Sequence, residues 1–455
     1  MTRELVVRAL GLYLPAVVSI YVWFWRKPGK LEATGALLAS AWNLPALFAL
    51  NALGVRLGWW HFRVVGAVFV TIPIDLWLGW AALWGVFAVL CFRRKPILAV
   101  VLAFGILDLA LMPLCFPVIV LGNHWIYGEI LGLFTCLFPA LLLARWTHEE
   151  SRIQARALLQ FLCFSGLFLL FALAILAATH DLQAIDDLRS IRSDLLVPVL
   201  FLFSLPALSA VQEFATLGEG TPLPFDPPRR LVTSGIYSYI ANPMQTVATV
   251  LMLGMALLFR NAWFAPTALL SFIYSAGLAW WDEREDLKQR FGEAYILYRQ
   301  NVRDWKVRWC PYVSQPALIY LSEDCIKCCQ MARFLESLDP VGLEIKAAED
   351  HPAHDLMRMT YESADGSMEA TGIVALARAL EHVNFAWALL GMAIRLPLVH
   401  WFLQAVADAS GGAPMRVQRR SGATCALPKT KMAIAASIEQ RKTETHFQNS
   451  SNSSR

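Results

Sequence analysis

The sequence predicts an all-α polytopic membrane protein of about nine membrane helices, including a short helical hairpin, followed by a small α/β domain. Three observations carry this. Apolar side chains make up 57% of the 455 residues and charged ones only 16%, more apolar surface than a soluble chain of this length can cover. The apolar excess is concentrated before about residue 282, so a membrane part precedes a polar one. Beyond it, a strand-like run at Ala317–Leu321 leads into a helix-like segment, Ile326–Leu338.

A helix that crosses the bilayer needs about 20 mostly apolar residues. Runs near 9–25, 32–53, 64–92, 96–120, 124–144, 158–178 and 193–211 meet or approach that length. The first follows basic residues but lacks the small-residue cleavage pattern of a removed signal peptide, so it reads as a membrane helix. Two further runs, 245–259 and 262–281, are nearly contiguous and form the hairpin, its first arm short for a full crossing. Arg26, Lys27 and Lys30, then Arg93, Arg94 and Lys95, then Arg145, Arg152 and Arg156 fall on alternate loops, which the positive-inside rule makes cytoplasmic. Counting onward places the loop around Arg229 and everything after Trp281 on that same side. Trp59-Trp60 and Trp280-Trp281 sit at segment ends as interfacial belts, and a net charge of +4 is no nucleic-acid footprint. Asp75, Asp108 and Glu129 lie inside early spans, where an acid is either functional or a helix-to-helix hydrogen-bonding group. The extension up to residue 155 has no assigned role, and no metal site is read from the sequence.

Between the seventh span and the hairpin lies a long irregular loop, Gly218 to Gln245, which a membrane tolerates only where the backbone lines a cavity, lies in protein or sits in the interface. It contains Thr221-Pro222 and then Gly235-Ile-Tyr237-Ser-Tyr239-Ile-Ala241-Asn242-Pro243. After the hairpin come Asp282-Glu283, Leu287, Arg290-Phe291-Gly292, Tyr295 and Tyr298 on an amphipathic segment that suits the interface. These three parts, in this order over about 215–308, resemble the isoprenylcysteine carboxyl methyltransferase and phospholipid methyltransferase superfamily, which makes 156–312 the catalytic membrane domain.

The resemblance implies S-adenosylmethionine as methyl donor, held under the membrane surface without a metal. It implies that Asn242 and Pro243 form the turn beside the cofactor, that Tyr237 and Tyr239 line its wall, and that Glu283 is the acidic contact, while Gly235 permits the turn. Two positions depart from the family. Ala241 stands where an arginine usually precedes the Asn-Pro pair, so a bidentate carboxylate clamp is missing there, and Gln245 replaces a frequent tyrosine. The methyl acceptor is therefore left open among a lipid amine, a thiol and another lipidic or small membrane-delivered group.

Cys325-Ile-Lys-Cys328 begins the helix-like segment after the strand, where a helix N-terminus stabilises a thiolate. The span 317–408 resembles the DCC family of thiol-disulfide oxidoreductase-like proteins, with Glu323 in place of that motif's glycine. This implies a thioredoxin-like domain, a redox role for Cys325 and Cys328, and a thiol partner. A structural or docking role is the alternative. The appended domain also points to a bacterial inner membrane with this domain in the cytoplasm. From about Gly411 the chain is polar enough to be disordered. Two other functions remain: an NADPH-dependent membrane reductase of the steroid 5-alpha-reductase kind, and a non-enzymatic membrane scaffold or thiol relay.

Overall fold

The computed structural model describes residues 3–221, 228–274, 280–352 and 356–415, with only the backbone described at 187, 189, 191, 192, 274, 280–285 and 397. The polar tail beyond residue 415 lies outside the described residues, as do residues 222–227 of the loop after Thr221. The chain divides into two compact units. Met1–Val197, Phe214–Arg229 and Met252–Ala268 make the first, and Pro198–Glu213, Arg230–Leu251 and Leu269–Arg455 the second.

Seven described helices are long and apolar enough to cross a membrane: α1 (Arg3–Arg26), α2 (Lys30–Arg56), α3 (Ile74–Phe92), α4 (Ile97–Cys115), α5 (Trp125–His148), α6 (Ile153–Ala178) and α7 (Ser193–Thr216). Each overlaps one of the seven apolar runs, because length and hydropathy select a bilayer-spanning helix. The runs 64–92 and 96–120 overreach: residues 68–69, 72–73 and 119–121 are strand, because an apolar stretch can equally pair as a short buried strand. Shorter apolar helices α8 (Pro243–Phe259) and α9 (Phe264–Tyr274) form the two arms of the hairpin. In the first unit, α1 leaves Leu10, Tyr13, Leu14, Val17, Phe24 and Trp25 exposed, a surface suited to lipid. Inward, Trp60, Trp84, Phe104 and Leu137 pack into one core, helped by two short antiparallel pairs, β1 (Trp60–Phe62) with β4 (Ile119–Leu121) and β2 (Val68–Phe69) with β3 (Ile72–Pro73). A second core joins Ile175 and Leu176 of α6 to Met252, Phe264 and Ala268 of the hairpin.

The early acids separate by environment. Asp75 pairs with Arg8, and Glu32 pairs with Arg93 at 2.7 Å, so these charges are matched within the helical bundle. Asp108 and Glu129 are buried.

In the second unit, α10 (Trp280–Asn301) is broken at Gly292, whose φ of +57° and ψ of −133° only glycine adopts without strain. The amphipathic segment is thus two helical pieces set at an angle by the glycine of Arg290-Phe291-Gly292. Further on, β5 (Ala317–Leu321), β6 (Leu343–Ala347), β7 (Thr360–Glu362) and β8 (Glu369–Thr371) form one mixed sheet in the order β6-β5-β7-β8. β5 and β6 run parallel through the crossover helix α11 (Ile326–Ser337), whereas β5–β7 and β7–β8 are antiparallel. The central strand is covered on both faces: Ala317, Ile319 and Leu321 pack into the main core with Ala332 and Leu335, and Tyr320 packs on the other side with Ala348 and Leu356. Three helices follow, α12 (Ile373–Leu380), α13 (Phe385–Ile394) and α14 (Pro397–Ala407).

Candidate functional site

Within the second unit, the Gly235–Pro243 segment begins with a single 3-10 turn at Gly235–Ser238, and Pro243 opens α8 at the first helical position, where its missing N–H is not needed. Gly235 has φ of +57°, and a Cβ added there would lie 2.7 Å from the Glu213 carboxylate. The Asn242 carbonyl accepts from the Thr246 amide at 3.2 Å and from its hydroxyl at 2.9 Å, so the backbone of the Asn-Pro step is anchored.

Four main-chain groups of this turn are held by the end of α10 and the segment after it. The Tyr298 hydroxyl donates to the Tyr237 carbonyl at 2.8 Å. The amides of Tyr312 and Arg308 donate to the carbonyls of Ser238 and Tyr239 at 2.8 and 3.0 Å, and the Ala241 amide donates to the Arg303 carbonyl at 3.0 Å. Tyr239 is fully buried and its hydroxyl donates to the Glu381 carbonyl at 2.9 Å. Burial pushes the phenols of Tyr239 and Tyr298 well above their usual range, so both remain protonated donors. Two carboxamides are left unengaged. The Asn242 side chain makes no hydrogen bond among the described residues, and the buried Gln245 Oε1 has no partner there. Glu283 lies on the first piece of α10, and its side chain is outside the described residues.

Behind the turn sits a group of buried charges that sequence reasoning missed. Glu213, on the last turns of α7, accepts from the Ser234 hydroxyl at 3.1 Å and pairs with Arg378 and with Arg395, the latter at 3.1 Å. Glu381 pairs with the same two cations, at 3.0 Å from Arg378 and 2.8 Å from Arg395. Arg395 also donates to Gln212 at 2.9 Å and to Ser209 at 2.8 Å. Two carboxylates and two guanidiniums alternate around a closed ring, so four charges that would be prohibitive singly are matched. Burial acts against the charge on Arg378, but Glu213 and Glu381 outweigh it and raise its pKa. The expected span ended at residue 211, two positions short of Glu213. The available signal was an acid at the end of an apolar helix and an arginine among alanines in Ala375–Ala379.

The second constellation lies at the end of β5. Cys325 is the N-cap of α11, and its sulfur accepts from the Cys328 amide at 3.4 Å. Both thiols are free, whereas Cys329 is disulfide-bonded. Burial, then the hydrogen bond and charge of Cys325, push the Cys328 thiol up to about 12. The Ser322 hydroxyl and the Glu323 amide both donate to Glu349, at 2.6 and 3.0 Å, which fixes the loop before Cys325.

A family model described as phospholipid methyltransferase matches residues 189–294. The match supports a membrane methyltransferase. It spans α7, the Gly235–Pro243 turn, the hairpin and α10 to just past its break. Neither a curated protein nor a solved structure matches the chain.

Proposed function

We propose that the protein is a membrane-embedded S-adenosylmethionine-dependent methyltransferase acting on a lipidic or membrane-delivered small acceptor. The observation that carries this reading is the clamped turn. The two motif segments, far apart in sequence, meet through Tyr298 and Tyr237, and the family match covers most of both.

The residues present fit such a cofactor, since the unengaged carboxamides of Asn242 and Gln245 supply hydrogen-bonding groups beside a rigid turn. Asn242, Pro243, Tyr237 and Glu283 would hold it, with Tyr239 and Gly235 shaping the turn from behind. When bound, it supplies an electrophilic methyl on a sulfonium, whose charge is lost as the methyl leaves. The chain itself contributes position and exclusion of water. The hydrogen bonds from Tyr298, Arg308 and Tyr312 keep the turn from relaxing, and Ala241 supplies no cation to select a carboxylate. An acceptor without a free carboxylate, such as a lipid amine or thiol, fits that lack of charge.

The C-terminal domain is read as thioredoxin-like, with a thiol-redox or docking role and a cytoplasmic position. The strand order β6-β5-β7-β8 and the N-cap position of Cys325 support this. The bacterial inner membrane remains part of the proposal on the same resemblance.

Calorimetric titration of S-adenosylmethionine and S-adenosylhomocysteine into full-length protein in lipid nanodiscs tests the reading. Both should bind, and Asn242→Ala and Glu283→Ala should each weaken binding by about tenfold, as expected for loss of a hydrogen bond to a charged group. Folded protein that binds neither, but binds NADPH, would establish the reductase alternative instead.

A further inference from the structure

The C-terminal domain contains a cavity of about 500 Å³ that Cys325 and Cys328 both line. This volume falls within the usual range of small-molecule sites. Its walls are chiefly apolar, with Met331, Met357, Met359 and Met415 joined by Ile373 and Leu376. Methionine is unbranched and polarisable, so four of them make a surface that adapts to apolar ligands of varied shape.

Several of the polar groups around it are tied to others within the domain. Lys327 donates to the Ser410 carbonyl. Arg358 pairs through two nitrogens with Asp408, and Gln404 donates to Asp408 at 2.7 Å while accepting from the Ile373 amide at 2.8 Å. These groups are satisfied within the domain, so binding an ionic or strongly hydrated ligand would require breaking them. An apolar one need only displace water from methionine side chains.

We infer that this cavity is a binding site for a small apolar disulfide, which it presents to Cys325. The inference rests on reading Cys325 and Cys328 as a redox pair, and it adds the class of substrate. The Cys325 sulfur attacks one sulfur of the bound disulfide, forming a mixed disulfide and releasing the first thiol, which carries away the Cys325 proton. The Cys328 sulfur then attacks Cys325, releasing the second thiol with the Cys328 proton and closing a Cys325–Cys328 disulfide. The substrate gains two electrons and two protons, and the protein loses both. Because Cys325 caps the helix at the cavity wall, only the sulfur of a ligand seated among the methionines is delivered to it.

The test uses full-length protein, reduced beforehand, in lipid nanodiscs. Formation of the Cys325–Cys328 disulfide is followed by mass after alkylation, so the exposed Cys310 does not interfere, and Cys325→Ser sets the background. Diethyl, dipropyl and dibutyl disulfide are compared with bis(2-hydroxyethyl) disulfide. The rate constant should rise by about threefold to fourfold per buried methylene. Met357→Gln and Met359→Gln should each flatten that rise, and Met357 is half-exposed, so its replacement does not threaten the fold. A flat series overturns the inference, as does a rise that survives both substitutions and so reports only partition into lipid. If even the hydroxyethyl disulfide fails to react, the redox reading of the pair falls with it.

Discussion

At Gly235 two demands meet: a left-handed φ of +57°, and a Glu213 carboxylate 2.7 Å from where a Cβ would stand. Alanine satisfies neither. Gly235→Ala should lower thermal stability by about 2 kcal/mol or more and, on the proposed function, weaken S-adenosylmethionine binding with it, since the same turn carries Tyr237 and Asn242. Unchanged melting would mean that the turn is looser than these contacts imply. His382 makes a different kind of demand. Its Nδ1–H donates to the Val341 carbonyl and its Nε2 accepts from the Tyr361 hydroxyl, each at 2.9 Å, so the pair of bonds needs a neutral ring. Burial holds this imidazole down at about 4; the Val341 bond acts against the shift and nearby Arg378 adds to it. In the unfolded chain a histidine titrates near ~6.5. Between those values the unfolded chain binds a proton that the folded one refuses, so stability is complete above about 6.5 and falls as pH drops towards 4. Unfolding followed from about pH 7 to about pH 5 should show this loss, and His382→Gln should reduce its slope.

The elements α7, α12 and α13 are joined by buried charge through Glu213, Arg378, Glu381 and Arg395. Breaking one member of a buried ion group costs about 3–5 kcal/mol, because its partner stays buried with less compensation. Arg378→Met should therefore destabilise strongly. The double variant Glu213→Gln with Arg378→Met, which removes one charge of each sign, should recover part of that loss, giving a coupling of about 1 kcal/mol or more. Strictly additive effects in thermal unfolding would show that the two residues do not act through each other. Among these elements, α7 was legible as an apolar run, and β5 and α11 were legible because a short apolar run and a following helical pattern are local properties. The break of α10 at Gly292 was not. A lone glycine inside a helical pattern is compatible with a continuous helix, and nothing in the local pattern calls for its φ of +57°.

Over the whole chain, sequence by itself determined that the protein is helical and membrane-spanning, which apolar runs become its seven long helices and the two shorter ones, and that a strand–helix segment with two thiols follows; it did not fix where α3 begins or where α4 and α9 end. Length, hydropathy and the spacing of cysteines are readable without knowing what any residue touches. Tertiary structure alone decided the rest. Tyr298 reads in the sequence as an interfacial aromatic, yet in the fold it holds the Tyr237 carbonyl across 61 positions. Glu213 and Arg378 are 165 positions apart, and neither carries any mark of the other. The strand order that brings β5 between β6 and β7, and the methionines that gather around Cys325, likewise follow from long-range burial. Such contacts form because a buried charge requires an opposite charge and an apolar surface requires cover, and which residue provides either is set by the folded path of the chain.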